Sequence, residues 1–63
     1  METHLKEYRE KSGLSQEELA EISGVSKAVI SGLERGKINV TTTNTMKKLA
    51  DALNVKVTAI FFD

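Results

Sequence analysis

Apolar residues recur along this chain at helical rather than strand spacing, and each periodic stretch ends at a turn-forming residue. Leu5 and Tyr8 share one face of a first segment from about Thr3 to Ser12, with Gly13 just past its end. Ser15-Gln16-Glu17-Glu18 reads as a capping box, in which Ser15 accepts from the backbone and Glu18 reaches back. The second helix that follows carries Leu19, Ala20 and Ile22 as its expected buried stripe and stops near Ser23, before Gly24. Ser26 caps a third helix running to about Arg35, with Gly36 after it. At about 100° per residue, Val29, Ile30 and Leu33 cluster on one side of it, and Lys27, Ala28, Ser31 and Arg35 on the other. A short loop from Lys37 to Thr41 leads into a fourth helix, about Thr42 to Leu53, burying Met46, Leu49, Ala50 and Leu53. Asn54 is the best non-glycine choice for a left-handed residue after it. The β-branched tail suggests a strand, but an isolated strand has nothing to pair with, so a short fifth helix from Val57 to Phe62 is predicted. The pattern describes an all-α bundle of about five helices.

Length and composition narrow the chemistry. A chain of 63 residues is expected to form a single domain, 1–63, that buries only about 60% of its unfolded surface. Proline is absent and the four glycines act as punctuation. The absence of cysteine removes a disulfide framework, a thiolate zinc site and a thiol nucleophile together. His4, the one histidine, reads as an exposed helix residue. No nucleophile, base and orienting group can be assembled from this inventory, so no enzymatic activity and no cofactor are expected. No apolar run approaches the roughly 18 residues of a membrane span, and no leader pattern precedes the first helix. The expected compartment is the cytoplasm. A ligand-sensing domain of ordinary size does not fit the length, and no small-molecule ligand is expected.

Charge changes the picture only when it is placed along the chain. Nine Lys plus Arg balance nine Asp plus Glu, which at first argues against a polyanionic partner. Met1 to Glu21, however, holds three basic and six acidic residues, a net of −3, whereas Ile22 to Lys48 holds five basic and one acidic, a net of +4. The positive part coincides with the third helix and the loop after it. Neutrality therefore predicts modest non-specific affinity for nucleic acid rather than none.

The second helix, the turn at Gly24 and the third helix form a helix-turn-helix unit. Ala20 is small where the helices approach, Val25 packs between them, and Ile30 and Leu33 close the core. This leaves the third helix with a solvent-facing strip of short or basic side chains that can enter the ~12 Å major groove. Lys27 can reach guanine O6 and N7, and equally a phosphate. Ala28 could meet a thymine methyl or serve simply as a helix former; Ser31 can donate or accept. Gly32 costs up to ~1 kcal/mol inside a helix relative to Ala, which is explained either by close approach to DNA or by a tight helix-helix contact. Arg35, Lys37 and Asn39 lie where a DNA backbone would pass, and the hydroxyls from Thr41 to Thr45, Thr42 among them, stand at the start of the fourth helix, as anion contacts or as caps. Phe61 and Phe62 come last: one should enter the core, and an exposed aromatic there would suit a dimer contact.

The ordered series Gly13-Leu14-Ser15-Gln16-Glu17-Glu18-Leu19-Ala20, Gly24-Val25-Ser26, Ile30-Ser31 and Glu34-Arg35-Gly36 resembles the Cro/repressor (XRE-like) helix-turn-helix family. The likeness runs from Leu5 to Phe61 and includes Lys48-Leu49-Ala50-Asp51-Ala52-Leu53; it departs at Thr41 and Thr43, where the family usually has a proline and an apolar residue. The resemblance implies a lambda-repressor-like fold. It also implies a double-stranded DNA-binding transcriptional regulator, a repressor by expectation, acting as a homodimer on an inverted repeat. Gln16 matches a phosphate-contacting position, Ser26 and Lys27 the start of the recognition helix, with Ser26 expected on a phosphate, and Ala28, Ser31 and Gly32 the positions nearest the bases. Arg9 and Glu34 match an ion pair that ties the first helix to the end of the third, and Phe61 and Phe62 fall where dimer contacts are expected. The other reading compatible with the fold is a protein-interaction module, such as an antitoxin-like or anti-repressor component.

Overall fold

The computed structural model describes residues 3–38 and 41–61, and these form five α-helices with no strand among them: α1 (Leu5–Lys11), α2 (Gln16–Ser23), α3 (Lys27–Glu34), α4 (Thr43–Ala52) and α5 (Val57–Phe61). The three central helices begin at side-chain caps. Ser15 Oγ accepts from the Glu18 amide at 3.0 Å while the Ser15 amide donates to Glu18 Oε1 at 2.9 Å. Ser26 Oγ accepts from the Val29 amide and Thr42 Oγ1 from the Thr45 amide. Thr42 thus starts α4 without the proline usual near this point of the family pattern. Gly24 closes α2 at φ +75°, the left-handed conformation that turns the chain into α3, and Asn54 follows α4 at φ +57°.

The helices close a ring. α1 packs on α3, α3 on α2, α2 on α4, α4 on α5, and α5 returns to α1. The His4 amide, at the start of α1, donates to the Ile60 carbonyl of α5 at 2.8 Å and fastens that last junction. Inside lie Leu5, Leu19, Ile30, Leu33, Leu49 and Ile60, fully buried, with Val25, Ala50, Leu53 and Phe61 nearly so. Two sequence expectations are corrected here. Ile22, assigned to the buried stripe, is 57% exposed. The inward arc of α2 is made by Leu19 with the half-buried Gln16, Ala20 and Ser23, and at ~100° per residue Ile22 falls about 100° from its centre. Phe61, offered as a dimer contact, is only 4% exposed and belongs to the core, because α5 ends against α1 and α4. Phe62 lies outside the described residues.

Gly32 makes a close approach possible. A Cβ at this position would stand 2.6 Å from Ile38 Cγ1, and its carbonyl accepts from both the Lys37 amide (2.9 Å) and the Ile38 amide (3.2 Å). The chain leaving α3 therefore folds back over the helix, and Ile38 packs against the core where a side chain at 32 would have been. The glycine is thus explained by a tight packing contact, made not with another helix, as expected, but with Ile38 in the segment that leaves α3.

A polar clasp joins the first three helices. Arg9 donates from Nε to Glu34 Oε2 at 2.7 Å, from Nη2 to Glu34 Oε1 at 3.1 Å, and from Nη1 to the Leu14 carbonyl at 2.7 Å. Gln16 Nε2, at the start of α2, donates to the same Glu34 Oε1 at 3.1 Å. The side chains of Arg9 and Glu34 are 11% and 3% exposed, so both charges are largely removed from water and must satisfy each other. Burial pushes the Glu34 carboxyl up, but the hydrogen bonds from Arg9 and Gln16, with the positive charges of Arg9 and Lys6, outweigh it and hold the group below its ordinary value. Arg9 is correspondingly raised, chiefly by its hydrogen bonds to Glu34.

Two predictions follow from these contacts. Removing one partner with Glu34→Gln or Arg9→Ala should cost about 3 kcal/mol in urea unfolding, a large part of the stability of so short a chain. Because the folded carboxyl of Glu34 is depressed, its contribution is fully present above its unfolded value near 4.5 and is lost as pH falls through the folded value. The stability gap between wild type and Glu34→Gln should therefore narrow below about pH 4.5; a constant gap would mean that Glu34 is not held ionised. At Gly32, a double-mutant cycle gives the second prediction. Gly32→Ala alone should lower stability by about 1 kcal/mol, yet raise it by up to ~1 kcal/mol in an Ile38→Ala background, where only helix propensity remains.

Candidate nucleic-acid interface

The helix-turn-helix unit presents α3 with one face committed and one open. Ile30 and Leu33 are fully buried and Val29 half-buried. The opposite arc carries Lys27, Ser31, Arg35 and Ala28, spanning about 100° of the helix surface at ~100° per residue. Lys27, Ala28 and Arg35 are exposed and Ser31 half-buried. None of these chains between the two basic ends extends beyond a hydroxymethyl group, so the middle of the helix can approach a surface closely. Gly32, at the edge of this arc, lies beneath Ile38. That contact accounts for the glycine without a base, and it removes Gly32 from the side chains that face outward.

The polar residues around α3 divide by what already holds them. Ser26 and Thr42 spend a lone pair on the backbone amides they cap, and the Thr42 hydroxyl donates in turn to Thr45 Oγ1 at 3.0 Å. Gln16 is half-buried; its amide gives one hydrogen to Glu34 and keeps a second at the N-terminal end of α2, where backbone N–H groups and the helix dipole favour an anion. Lys37 is exposed on the loop that leaves α3. Asn39, named with these residues from the sequence, lies outside the described residues.

One residue of this surface was not singled out by sequence reasoning. Glu17 Oε1 lies 3.3 Å from Lys27 Nζ, joining the first turn of α2 to the first residue of α3. The two stand ten positions apart on different helices, and no local spacing rule connects them. Glu17, Glu18 and Glu21 are all exposed, so the outer surface of α2 is acidic while that of α3 is basic. The Glu18 carboxyl is held below the ordinary range by the Ser15 amide and hydroxyl of the capping box, and stays charged at neutral pH.

The described residues contain no cluster of His, Cys, Asp and Glu able to hold a metal ion, and no helix among them is long and apolar enough to cross a membrane. What the geometry offers chemically is a projecting helix with a short-chained, basic outer arc.

Comparison with known proteins places this arrangement. The helix-turn-helix family matches residues 5–60, nearly the full run of the five helices. Control protein C.SmaI of Serratia marcescens is 46% identical over 54 residues, covering 86% of this chain and 63% of its own length. The HTH-type transcriptional repressor RghR of Bacillus subtilis is 41% identical over 58 residues, covering 92% of this chain and 43% of its own length. Among solved structures, a chain of the SinR protein/SinI protein complex superposes with a TM-score of 0.83 at 34% identity, over 87% of this chain and 53% of that one. The chain thus spans less than two thirds of each of these relatives, and what it shares with them is the bundle built around α2 and α3. On its ordered motif, its ring of five helices and these likenesses, the chain belongs to the Cro/repressor-type (XRE-like) helix-turn-helix family.

Proposed function

We propose that the chain is a sequence-specific, double-stranded DNA-binding transcriptional regulator, acting as a repressor and as a homodimer on an inverted repeat. The observation that carries this reading is the outer arc of α3, where Lys27 and Ala28 stand exposed beside the half-buried Ser31, on a helix whose opposite side buries Ile30 and Leu33 fully. Base edges are assigned to Lys27, Ala28 and Ser31, and phosphate contacts to Gln16, Ser26, Arg35, Lys37, Asn39 and Thr42. Gly32 is read as a packing residue under Ile38. The names of C.SmaI, a control protein, and RghR, a repressor, support a regulatory output.

A dimer follows from the size of the reading element. An eight-residue helix is about 12 Å long and spans only a few base pairs, so a second copy is needed to specify a site of useful length. Half-sites should lie about one helical turn, ~34 Å, apart. An alternative is favoured by one observation. The structural relative was solved as a complex of two different proteins, and the exposed Ile22 offers this chain an apolar point of contact outside the α3 arc. In that reading the domain serves mainly as a protein-interaction module.

Selection from random duplex DNA, run at two salt concentrations, tests the main reading. It should enrich a palindrome bound by two copies; uniform weak binding with no enriched sequence would sink it in favour of the interaction module. On the enriched site, Lys27→Ala should change base preference and cost about 1–3 kcal/mol. Gln16→Ala should weaken all sequences alike and leave the salt slope unchanged, because a neutral amide on a phosphate releases no counterion. If both variants act uniformly, Lys27 contacts phosphate.

A further inference from the structure

The ion pair between Glu17 and Lys27 has no stabilising purpose that its position supports. Both side chains are well exposed, 78% and 55%, and surface pairs of this kind contribute little to folding. Its location is what matters. Glu17 is in the first turn of α2, beside Gln16, and Lys27 is the first residue of α3, at the edge of the outer arc. A carboxylate here is also unfavourable for the phosphate that the same end of α2 would accept. Lysine is a compact charge on a flexible four-carbon stem, and left to itself it would follow whichever anion is nearest, which on DNA is the phosphate backbone.

We propose that Glu17 is a positioning, specificity-determining residue: it holds the Lys27 ammonium at the start of α3 and away from phosphate, so that Lys27 spends its charge on a base edge. The two contacts are compatible. An ammonium has three donors; one serves Glu17 and the others remain for guanine O6 and N7. This inference rests on the DNA-binding reading above and adds a residue to it.

The test is a four-protein cycle of wild type, Glu17→Gln, Lys27→Met and the double variant, titrated on the selected operator and on a random duplex over a range of salt. In Glu17→Gln, Lys27 is released to a phosphate. Affinity for random duplex should rise about eightfold at 0.1 M salt and the salt slope should steepen by about 0.9, the signature of one added phosphate contact. Operator affinity should change less than about twofold, so discrimination falls. In the Lys27→Met background the Glu17→Gln substitution should have little effect on either duplex. An equal rise on both duplexes, or the same rise without Lys27, would overturn the proposal and reduce Glu17 to general repulsion. If wild type selects an operator but Lys27→Met weakens both duplexes equally, Lys27 does not read a base and the proposal falls while the regulator stands. If wild type selects no operator, both fall together.

Discussion

A single buried carboxylate constrains how the first three helices can be arranged. Glu34 ends α3 with its side chain almost wholly out of water, and an ionised group there is tolerable only with its lone pairs satisfied. The donors come from two other elements: Arg9 from α1, in a two-point contact with the carboxylate, and Gln16 from the first residue of α2. Arg9 spends a third donor on the Leu14 carbonyl between those helices. Moving α1 or α3 breaks several of these bonds at once, and moving α2 takes Gln16 from the carboxylate, so the clasp constrains the mutual placement of all three. Only the planar fork of arginine supplies this geometry; a lysine at position 9 would offer one point charge where three directed donors are needed.

The apolar core and the clasp act on opposite ends of α3. At its N-terminal end, Ser26 caps the first turn and Val25 anchors the connection from α2. At its C-terminal end, Glu34 is held by the clasp, and Ile38 folds back onto Gly32. Between them Ile30 and Leu33 fill the centre of the five-helix ring. A helix of eight residues would have little stability of its own. Fixed at both ends and along one face, it becomes a rigid support for the few side chains on its outer arc. The zero net charge of the chain is unevenly placed: Lys27, Arg35 and Lys37 are exposed on α3 and the loop after it, while Glu17, Glu18 and Glu21 make the outer surface of α2 acidic.

Much of this was legible in the sequence, for a definite reason. Helix ends are written by residues within four positions of one another, and so Ser15 with Glu18, Ser26, Thr42, Gly24 and Asn54 could each be assigned from local spacing. The outer arc of α3 was readable because its buried face is strongly periodic. Misreadings arose where a side chain's fate depended on a neighbour distant in sequence. Ile22 looks buried by spacing alone, but the inward arc of α2 is set by where α3 and α4 lie. Phe61 looks like a terminal aromatic available to a partner, and the return of α5 onto α1 buries it.

The sequence by itself determined the helices, their caps, the turn between α2 and α3 and the family they belong to, since all of these rest on short-range geometry and ordered motifs. The pairing of Arg9 with Glu34 was implied by the family resemblance and is found at 2.7 Å; which other polar groups meet, and which small residue makes room for which large one, only the tertiary structure decided. Gly32 was open to two explanations until Ile38 was found over it. The partners Gln16 and Glu34 are 18 positions apart, and Glu17 and Lys27 ten. Contacts of that kind are made by the closure of the ring, which brings helix ends together according to how the whole core packs, and no pattern within a single helix encodes them.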